Sequence, residues 1–382
     1  MRILVTGGLG YIGSHFIVRA LELGHEVTAI DNLSNSSISV KKTIEEITNK
    51  TFDFFEADLK DPIALAKIFH EHKYDCVVHF AGLKSVADSK TNPIAYYANN
   101  VTGSLNLFEA MKAANVHDII FSSSATVYGT SDCTAYTEEH PKNPVNTYGH
   151  TKLITEQMLQ NICSSDAKWS VMALRYFNPL GAHASGKLGE NPKGIPNNLM
   201  PYITRVASGE YEALQIFGTD YKTTDGTGVR DYIHVMDLVE GHLAALEYQK
   251  NNRGYEAFNL GTGKGFSVLD VVKAFEQENG IRIPLIKQPR RDGDLAEYWA
   301  NPSKAKNKLS WEATRNLSDM VRDAWHWQKT MMTEILPTPV QVEPIPPLTS
   351  ISKNKTILFF SDYEPTHQQY PNDEDTHKEH SL

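Results

Sequence analysis

Tyr148 and Lys152 are the two residues whose types and spacing point most directly to chemistry. They lie four positions apart, and on a helix positions i and i+4 share one face, so the phenol and the ammonium would point the same way. A free tyrosine has a pKa of about 10, so ionising it at neutral pH costs about 4 kcal/mol. A nearby positive charge lowers that cost. The pair therefore indicates a proton-transfer group beside its activator.

A glycine-rich segment near the start of the chain indicates what could lie beside this pair. Residues 6–13 (TGGLGYIG) follow an apolar run and precede an apolar stripe of helical period. In that context Gly7 permits a tight turn, Gly10 lets a pyrophosphate approach the backbone, and Gly13 lets helix and strand pack closely. The helix N-terminus would face the phosphates. The segment predicts a dinucleotide site, and an oxidised nicotinamide there would add a second positive charge near Tyr148.

Asp31 distinguishes between the two common dinucleotides. It closes the second predicted strand, where a carboxylate can hold the adenosine ribose hydroxyls and would repel a 2′-phosphate. No arginine follows within residues 32–35, so NAD is favoured over NADP. Asp58 ends the third predicted strand, where it could meet adenine or serve only as a surface turn residue.

Three serines, residues 122–124, end the fifth predicted strand, where side chains open onto the crevice of such a sheet. Ser124 is the candidate for contact with a substrate hydroxyl. The alternative is that these serines only bind backbone amides in a turn. Together with Tyr148, Lys152 and the glycine loop, the catalytic interpretation is favoured.

Strands and helices alternate through the first half of the chain, which predicts an α/β fold with a doubly wound parallel Rossmann sheet and a smaller C-terminal substrate-binding lobe. We expect an NAD-binding domain over 1–177, to which later segments could return, and a substrate-binding lobe over 178–330. The Pro-rich and polar composition of 331–382 predicts a disordered tail. The predicted strands are 2–6, 26–31, 52–55, 75–80, 118–123 and 170–177, and the predicted helices begin near 11, 62, 94, 147, 198, 236, 267 and 316.

Composition excludes several classes of function. The chain of 382 residues is 41% hydrophobic, enough for a large core, and its net charge of -9 argues against a nucleic-acid surface. Three cysteines without C-x-x-C spacing suggest neither a disulfide framework nor a thiolate metal site, and the scattered histidines suggest no metal. No apolar run approaches membrane-spanning length. A cytoplasmic protein without a membrane or nucleic-acid partner is expected.

Longer stretches resemble a known family. TGGLGYIGSH, SSSATVYG, YGHTK, LRYFNPLGAH, DGTGVRDYIHVMDL and PRRDGDLAEYWA are similar, in order and spacing, to the extended short-chain dehydrogenase/reductase superfamily, and within it to the UDP-glucose 4-epimerase family, over residues 1 to about 329. The resemblance implies an NAD-dependent isomerase of galactose and carbohydrate metabolism that interconverts UDP-galactose and UDP-glucose through a transient 4-keto sugar. It also implies tightly held NAD and a homodimer formed through helices near 94–113 and 147–163.

The resemblance also assigns roles to residues. Tyr148 would be the base and later the acid at O4, Lys152 would anchor the nicotinamide ribose and lower the tyrosine pKa, and Ser124 would bond O4. Besides these three and Gly7, Gly10 and Gly13, the family's NAD contacts match Tyr11, Ile12, Asp31, Asn32, Asp58, Leu59, Phe80, Ala81, Lys84, Asn99 and Phe177. Its UDP-sugar contacts match Ser124, Tyr148, Asn178, Asn198, Leu199, Phe217, Arg230, Arg291, Asp294 and Tyr298.

Several of these positions admit other interpretations. Arg230 could merely pair with Asp231 or Asp237, and Arg290 with Arg291 could form a solvated surface run; without the resemblance these interpretations would be preferred. A nucleotide-sugar 4,6-dehydratase would need an acid pair after the catalytic hydroxyl residue, where Ala125 and Thr126 stand instead. A noncatalytic NAD-binding protein would not need an intact Ser124, Tyr148 and Lys152. The bulky ring of Tyr298 implies that N-acetylated sugars fit poorly.

Overall fold

A seven-stranded parallel sheet organises the computed structural model, which describes residues 1–130, 134–291 and 294–335. In chain order the strands of these residues are β1 (Arg2–Thr6), β2 (Glu26–Asp31), β3 (Asp53–Glu56), β4 (Cys76–His79), β5 (Asp118–Ser124), β6 (Ala135–Tyr136), β7 (Ser170–Tyr176), β8 (Asn178–Leu180), β9 (Leu214–Phe217), β10 (Val229–Arg230), β11 (Tyr232–His234), β12 (Gly254–Leu260), β13 (Phe266–Ser267), β14 (Leu285–Gln288) and β15 (Glu297–Ala300).

The helices of the same residues cover the two faces of this sheet and build the C-terminal part. In chain order they are α1 (Tyr11–Glu22), α2 (Ser39–Thr48), α3 (Pro62–Glu71), α4 (Val86–Thr91), α5 (Pro93–Tyr96), α6 (Gly103–Ala113), α7 (Thr147–Ser165), α8 (Leu199–Ala207), α9 (Val235–Gln249), α10 (Val268–Asn279), α11 (Ser303–Leu309) and α12 (Leu317–Ile335). A π-helical turn, Tyr97–Thr102, joins α5 to α6. None of these helices is both long and apolar enough to cross a bilayer.

The large sheet has the strand order β12-β7-β5-β4-β1-β2-β3, and every neighbouring pair in it is parallel. The order reverses between β1 and β4, and the crevice beyond the carboxyl ends of such strands is the usual ligand site. The strands are almost continuously apolar because helices bury both faces. One core contains Phe16, Ile17 and Leu238, and the opposite core contains Leu107 and Leu159. The predicted α/β doubly wound class is confirmed.

Several elements differ from the sequence prediction. The single helix expected over 94–113 is divided by the π-helical turn, and helices α2 and α4 were not predicted. Strand β12 was not predicted either, and it joins the large sheet beside β7 although it lies far beyond residue 177. The division into domains at residue 177 stays a prediction. Helix α12 continues to Ile335, and the rest of the predicted disordered tail lies outside the described residues.

The C-terminal part is built from short strands around a third core. A four-stranded sheet has the order β13-β10-β15-β6, and β11 pairs with β8 while β14 pairs with β9. Helices α8, α10 and α12 supply core residues such as Ile203, Phe275 and Val321, all fully buried. These short strands place the ends of β8, β9, β10 and β15 where several predicted substrate residues lie.

Candidate active site

The turn between β1 and α1 accepts only glycine at two positions. Gly7 has φ +66°, and a Cβ on it would lie 2.7 Å from the Ala81 nitrogen. A Cβ on Gly13 would lie 2.3 Å from the Gly7 oxygen. Gly10 caps the helix through its backbone alone, so no side chain competes for the N–H groups of the first turn. The turn is therefore an anion cradle at a helix N-terminus.

Tyr11 and Ile12, which follow the turn, are the first two residues of helix α1 and have different surroundings. The Tyr11 hydroxyl donates to the Gly181 carbonyl at 2.7 Å, and burial raises its pKa. Ile12 packs against the core beneath the sheet. The helix is thus tied to the loop that follows β8.

Asp31 organises the neighbouring loop. Its carboxylate accepts the Leu9 N–H at 3.1 Å, the Leu33 N–H at 2.9 Å and the Ser36 hydroxyl at 2.7 Å. The side chain thus links the glycine turn to the segment after β2. Because a carboxylate has about four lone-pair sites, three such bonds leave capacity for a ribose hydroxyl.

Asn32 and Asp58 face each other across the ends of β2 and β3. The Asn32 amide donates to Asp58 at 3.1 Å. Burial acts to raise the pKa of Asp58, but hydrogen bonds from Lys60 and Asn32 outweigh it and hold the pKa below its usual value. The carboxylate is accordingly an anion held in place at this sheet edge.

Apolar residues predicted to contact NAD line the ends of β3 and β4. Leu59 is buried in the core, and Phe80 packs its ring 5.6 Å from Phe16. The Ala81 N–H donates to the Thr6 carbonyl at 3.1 Å, so this segment runs along the glycine turn. The segment can therefore offer backbone and van der Waals contacts to a cofactor.

Tyr148 and Lys152 occupy one face of α7, as the spacing predicted. The helix begins after Asn146, whose side chain accepts the Gly149 N–H at 2.8 Å as an N-cap. Lys152 Nζ lies 5.8 Å from the centre of the Tyr148 ring and donates to the Ser122 carbonyl at 2.7 Å. Since β5 ends beside α7, this bond holds the ammonium at the carboxyl edge of the sheet.

Ser124 stands at the end of β5 and serves two partners. Its hydroxyl accepts the Thr126 N–H at 3.2 Å and lies close enough to Tyr148 to hydrogen-bond its phenol. The turn-forming interpretation of Ser124 therefore holds alongside its contact with Tyr148. The structure brings Ser124, Tyr148 and Lys152 together.

The ionisation of this trio is set mainly by burial. Burial raises the pKa of Tyr148 to about 12, although the bond to Ser124 acts in the opposite direction. Burial lowers the pKa of Lys152 to about 8, although the Glu156 carboxylate, one turn further along the helix, acts to raise it. The lowered Tyr148 pKa expected from sequence is not what the protein groups alone produce. Ionisation near neutral pH requires additional positive charge.

A buried ion pair, which the sequence did not predict, supports the helix and strands that carry Ser124, Tyr148 and Lys152. Arg175 and Glu156 are 1% and 0% exposed and form a bidentate pair, with N–O distances of 2.9 and 2.8 Å. The hydroxyls of Ser123 and Tyr255 donate to the same carboxylate at 2.5 and 3.0 Å. This network fixes α7 against the ends of β5 and β7. No local sequence signal joins residues so far apart.

The π-helical turn supplies a second support. It carries Asn99, whose amide donates to Asn100 at 3.0 Å, and Asn100 in turn donates to Thr151 Oγ1 at 3.1 Å and accepts the Leu83 N–H at 2.8 Å. Thr151 lies between Tyr148 and Lys152 on α7. A π turn shifts the helical register and is frequent at functional sites. Asn100 was not predicted, because nothing in the sequence marks a π turn.

Lys84 and Asn198 belong to different predicted subsites but share one partner. Both donate to Glu190 Oε1, each at 2.6 Å. Asn198 is the N-cap of α8, and Leu199 begins that helix. Glu190 itself was not predicted, because it lies in a loop without a motif.

The predicted substrate arginines each stack on an aromatic ring. The Arg230 guanidinium lies 4.9 Å from the Tyr298 ring, and that of Arg291 lies 4.2 Å from Phe217. The sequence alternative for Arg230 is wrong, since Asp231 binds the Thr262 and Gly263 backbone and Asp237 pairs with Arg315 instead. Among the described residues no salt bridge occupies Arg230 or Arg291. Their guanidinium groups can therefore meet an anionic ligand.

Arg290 differs from its neighbour. It pairs with the exposed Asp220 at 2.7 Å and stacks on Tyr221. Arg291 is exposed as well, but it stacks on Phe217, so both arginines are solvated as the surface interpretation expected. The Asp294 N–H donates to the Arg291 carbonyl at 3.3 Å, which places Asp294 beside Arg291. The two consecutive arginines therefore have different partners.

Phe177, Asn178 and Tyr298 connect the two subsites. The Phe177 and Tyr298 rings are 5.8 Å apart, and Tyr298 lies close enough to Tyr148 to raise its pKa. The side-chain oxygen of Asn178 is buried without a hydrogen-bond partner among the described residues. A buried, unpaired amide oxygen is costly, so this position suits a donor on a ligand.

Neither a large described cleft outside these residues nor a metal centre adds to the site. A cleft of about 520 Å³, lined by Glu138, Glu256, Lys304 and Lys308 among others, contains none of the predicted site residues, and its mixed charges pair with one another. Within the described part of the chain, no three His, Cys, Asp or Glu side chains gather as metal ligands.

Comparisons with known proteins show which family, relatives and solved structures this chain resembles. The model of the NAD dependent epimerase/dehydratase family matches residues 3–261. A UDP-glucose 4-epimerase from Bacillus subtilis (strain 168) is 53% identical over 330 residues, covering 86% of this chain and 97% of the relative. The structure of a UDP-glucose-4-epimerase from Stenotrophomonas maltophila with bound NAD and formylated UDP-arabinopyranose superposes with a TM-score of 0.85 at 46% identity, covering 87% and 99% of the two chains. One from Bifidobacterium longum in complex with NAD+ and UDP gives 0.84 at 46% identity, covering 86% and 98%.

Proposed function

The chain belongs to the NAD dependent epimerase/dehydratase family, and from that premise we propose that it is a UDP-glucose 4-epimerase, an isomerase that interconverts UDP-galactose and UDP-glucose through a transient 4-keto sugar. The observation that carries the proposal is the meeting of Ser124, Tyr148 and Lys152 at the carboxyl edge of the sheet, beside the glycine turn. Relatives about half identical over nearly their whole length, and named for this reaction, support it.

The residues present fit NAD. The glycine turn would hold the pyrophosphate, because a Cβ at Gly7 or Gly13 would fill the space against backbone. Asp31 would bind the adenosine ribose, and Lys152 the nicotinamide ribose. When bound, NAD supplies the acceptor that takes a hydride from sugar C4 and gives it back to the other face.

Tyr148 would move the proton. As a phenolate it would take the proton from the C4 hydroxyl during oxidation, becoming a neutral phenol, and as that phenol it would return the proton to O4 when the keto group is reduced. Burial keeps the pKa of Tyr148 at about 12 even with Lys152 beside it, so the charge of an oxidised nicotinamide is needed in addition to bring it down. Ser124 hydrogen-bonds the same phenol and would orient O4.

The diphosphate of the substrate would lie between the stacked arginines. A guanidinium fork pairs phosphate oxygens bidentately, and stacking on Tyr298 and Phe217 fixes the planes of Arg230 and Arg291. Asn178, Asn198, Leu199 and Asp294 complete the proposed UDP-sugar contacts.

A 4,6-dehydratase is disfavoured at the residues after Ser124. Removing water from C5 and C6 requires a proton donor and an acceptor, whereas Ala125 carries only a methyl group and is buried. The Thr126 hydroxyl already donates to Ser124 at 3.0 Å. C4 epimerisation needs neither group.

Tyr298 would limit the size of the sugar. Its ring packs against Phe177 and Tyr136 and beneath Arg230, so it has little freedom to move aside. We therefore expect UDP-N-acetylglucosamine to be a poor substrate. Efficient turnover of that sugar in competition with UDP-glucose would contradict this assignment.

Assembly and location are part of the same proposal. Ile94 and Leu105, on the helices α5 and α6 predicted to form a homodimer, are 84% and 43% exposed, which supports an interface there. A cytoplasmic homodimer is proposed, with no membrane or nucleic-acid partner.

The test is incubation of the purified protein with UDP-galactose without added NAD, followed by separation of the sugar nucleotides. UDP-glucose should form, because the protein is expected to retain NAD. A 6-deoxy-4-keto product would instead identify a dehydratase. Retained NAD without any turnover would favour a noncatalytic NAD-binding protein.

A further inference from the structure

One carboxylate oxygen joins the two proposed ligand subsites. Glu190 Oε1 accepts a hydrogen bond from Lys84 Nζ at 2.6 Å and another from Asn198 Nδ2 at 2.6 Å. Lys84 is among the residues proposed to contact NAD, and Asn198 among those proposed to contact the UDP-sugar. The Glu190 side chain is only 9% exposed, so water competes weakly for these bonds.

The arrangement leaves both donors usable by ligands. A lysine ammonium has three N–H bonds and an asparagine amide has two, and Glu190 takes one from each. Two N–H bonds of Lys84 and one of Asn198 therefore remain for the oxygens of a diphosphate. The carboxylate orients the donors without saturating them.

The loop that carries Glu190, residues 181–198, is attached at several points along the proposed cofactor site. Its first residue accepts the Tyr11 hydroxyl. Further along, Lys193 Nζ donates to the Leu33 and Ser34 carbonyls at 2.8 and 3.0 Å. These contacts hold the loop in place on either side of Glu190. A displacement of Lys84 therefore shifts the Glu190 carboxylate and with it Asn198, instead of being absorbed by movement of the loop.

We propose that Glu190 is a positioning residue that couples the cofactor and substrate subsites, an inference that rests on the function proposed above. A cofactor phosphate that holds Lys84 also fixes Glu190, and Glu190 then fixes the amide of Asn198 before the UDP diphosphate arrives. Preordering a donor reduces the entropy lost on binding, so NAD and UDP strengthen each other's binding. Thermodynamic linkage makes this coupling reciprocal.

A double-mutant cycle tests the coupling through UDP affinity, measured by titration calorimetry on the enzyme in excess NAD. Lys84→Met should weaken UDP binding by about fivefold, although Lys84 lies on the cofactor side. In a Glu190→Ala background the same substitution should leave UDP affinity unchanged. Glu190→Gln keeps an acceptor oxygen without its charge and should give an intermediate effect, because charge-assisted bonds are about twice as strong.

Lys193→Met is the matched control, because this lysine lies on the same loop but donates to backbone carbonyls instead of Glu190. Its effect on UDP affinity should be equal in both backgrounds. An equal effect of Lys84→Met in the two backgrounds, or none in either, would overturn the coupling while leaving turnover and the proposed function standing. A wild-type protein that binds neither UDP nor NAD would overturn both proposals.

Discussion

Replacing Lys152 by Met removes one positive charge beside Tyr148 while keeping a side chain of similar length. Lys152 Nζ lies 5.8 Å from the centre of the Tyr148 ring. Taking that distance as the charge separation and an effective dielectric constant of about 20, the ammonium stabilises a phenolate by about 3 kcal/mol, equivalent to about two pKa units. At pH 7 the variant should therefore transfer the proton about 100-fold more slowly than the wild type.

The pH dependence distinguishes this role from simple anchoring of the cofactor. The pKa of Lys152 is lowered to about 8, so the wild type carries the charge at pH 7 and loses it as the pH rises through 8. The advantage of the wild type should then shrink to about tenfold by pH 9. The assay is turnover of UDP-galactose from pH 6.5 to 9 at saturating NAD. A ratio of rates that stays constant over this range would refute the electrostatic role.

Three other substitutions and one control probe the site and its supports. Tyr148→Phe should lower turnover by about 10²–10⁴ with NAD content unchanged. Tyr176 is a buried tyrosine nearby, and the control substitution Tyr176→Phe should keep turnover within about tenfold of the wild type. Comparable losses in both variants would contradict the assignment. Gly13→Ala should reduce the NAD retained on purification, since its Cβ would meet backbone at 2.3 Å, and full retention measured by absorbance would count against the cradle. Glu156→Gln should lower the free energy of unfolding in urea by about 3–5 kcal/mol, because Arg175 is left buried and uncompensated; a loss below about 1 kcal/mol would show that the pair matters little.

The features predicted well from the sequence depend on local spacing. Gly7 and Gly13 lie in one turn, so the backbone of that turn determines that both must be glycine. Tyr148 and Lys152 lie in one helix, so the helical repeat places their side chains on one face. The predicted placement of Ser124 followed from the rule that strand ends open onto the crevice. In each case the position of the residue depends only on the turn, helix or strand that contains it.

The missed features depend on distant partners or on a shift in helical register. Glu156 pairs with Arg175, and Glu190 pairs with Lys84, although no sequence motif links the members of either pair. Asn100 reaches Leu83 and Thr151 from a π turn, and a regular helix over 94–113 would direct it elsewhere. The pairing suggested for Arg230 failed because Asp231 satisfies loop amides instead.

Strand β12 has a consequence for synthesis on the ribosome. It forms one edge of the large sheet and pairs along the whole of β7, yet its last residue, Leu260, is added 84 residues after β7 ends at Tyr176. At about 5–20 residues per second, the nascent chain exposes that unpaired edge for roughly 4–17 s. During this interval the hydrogen-bonding groups of β7 can pair with a strand from another chain, so the emerging polypeptide is most prone to aggregate just before Leu260 leaves the exit tunnel.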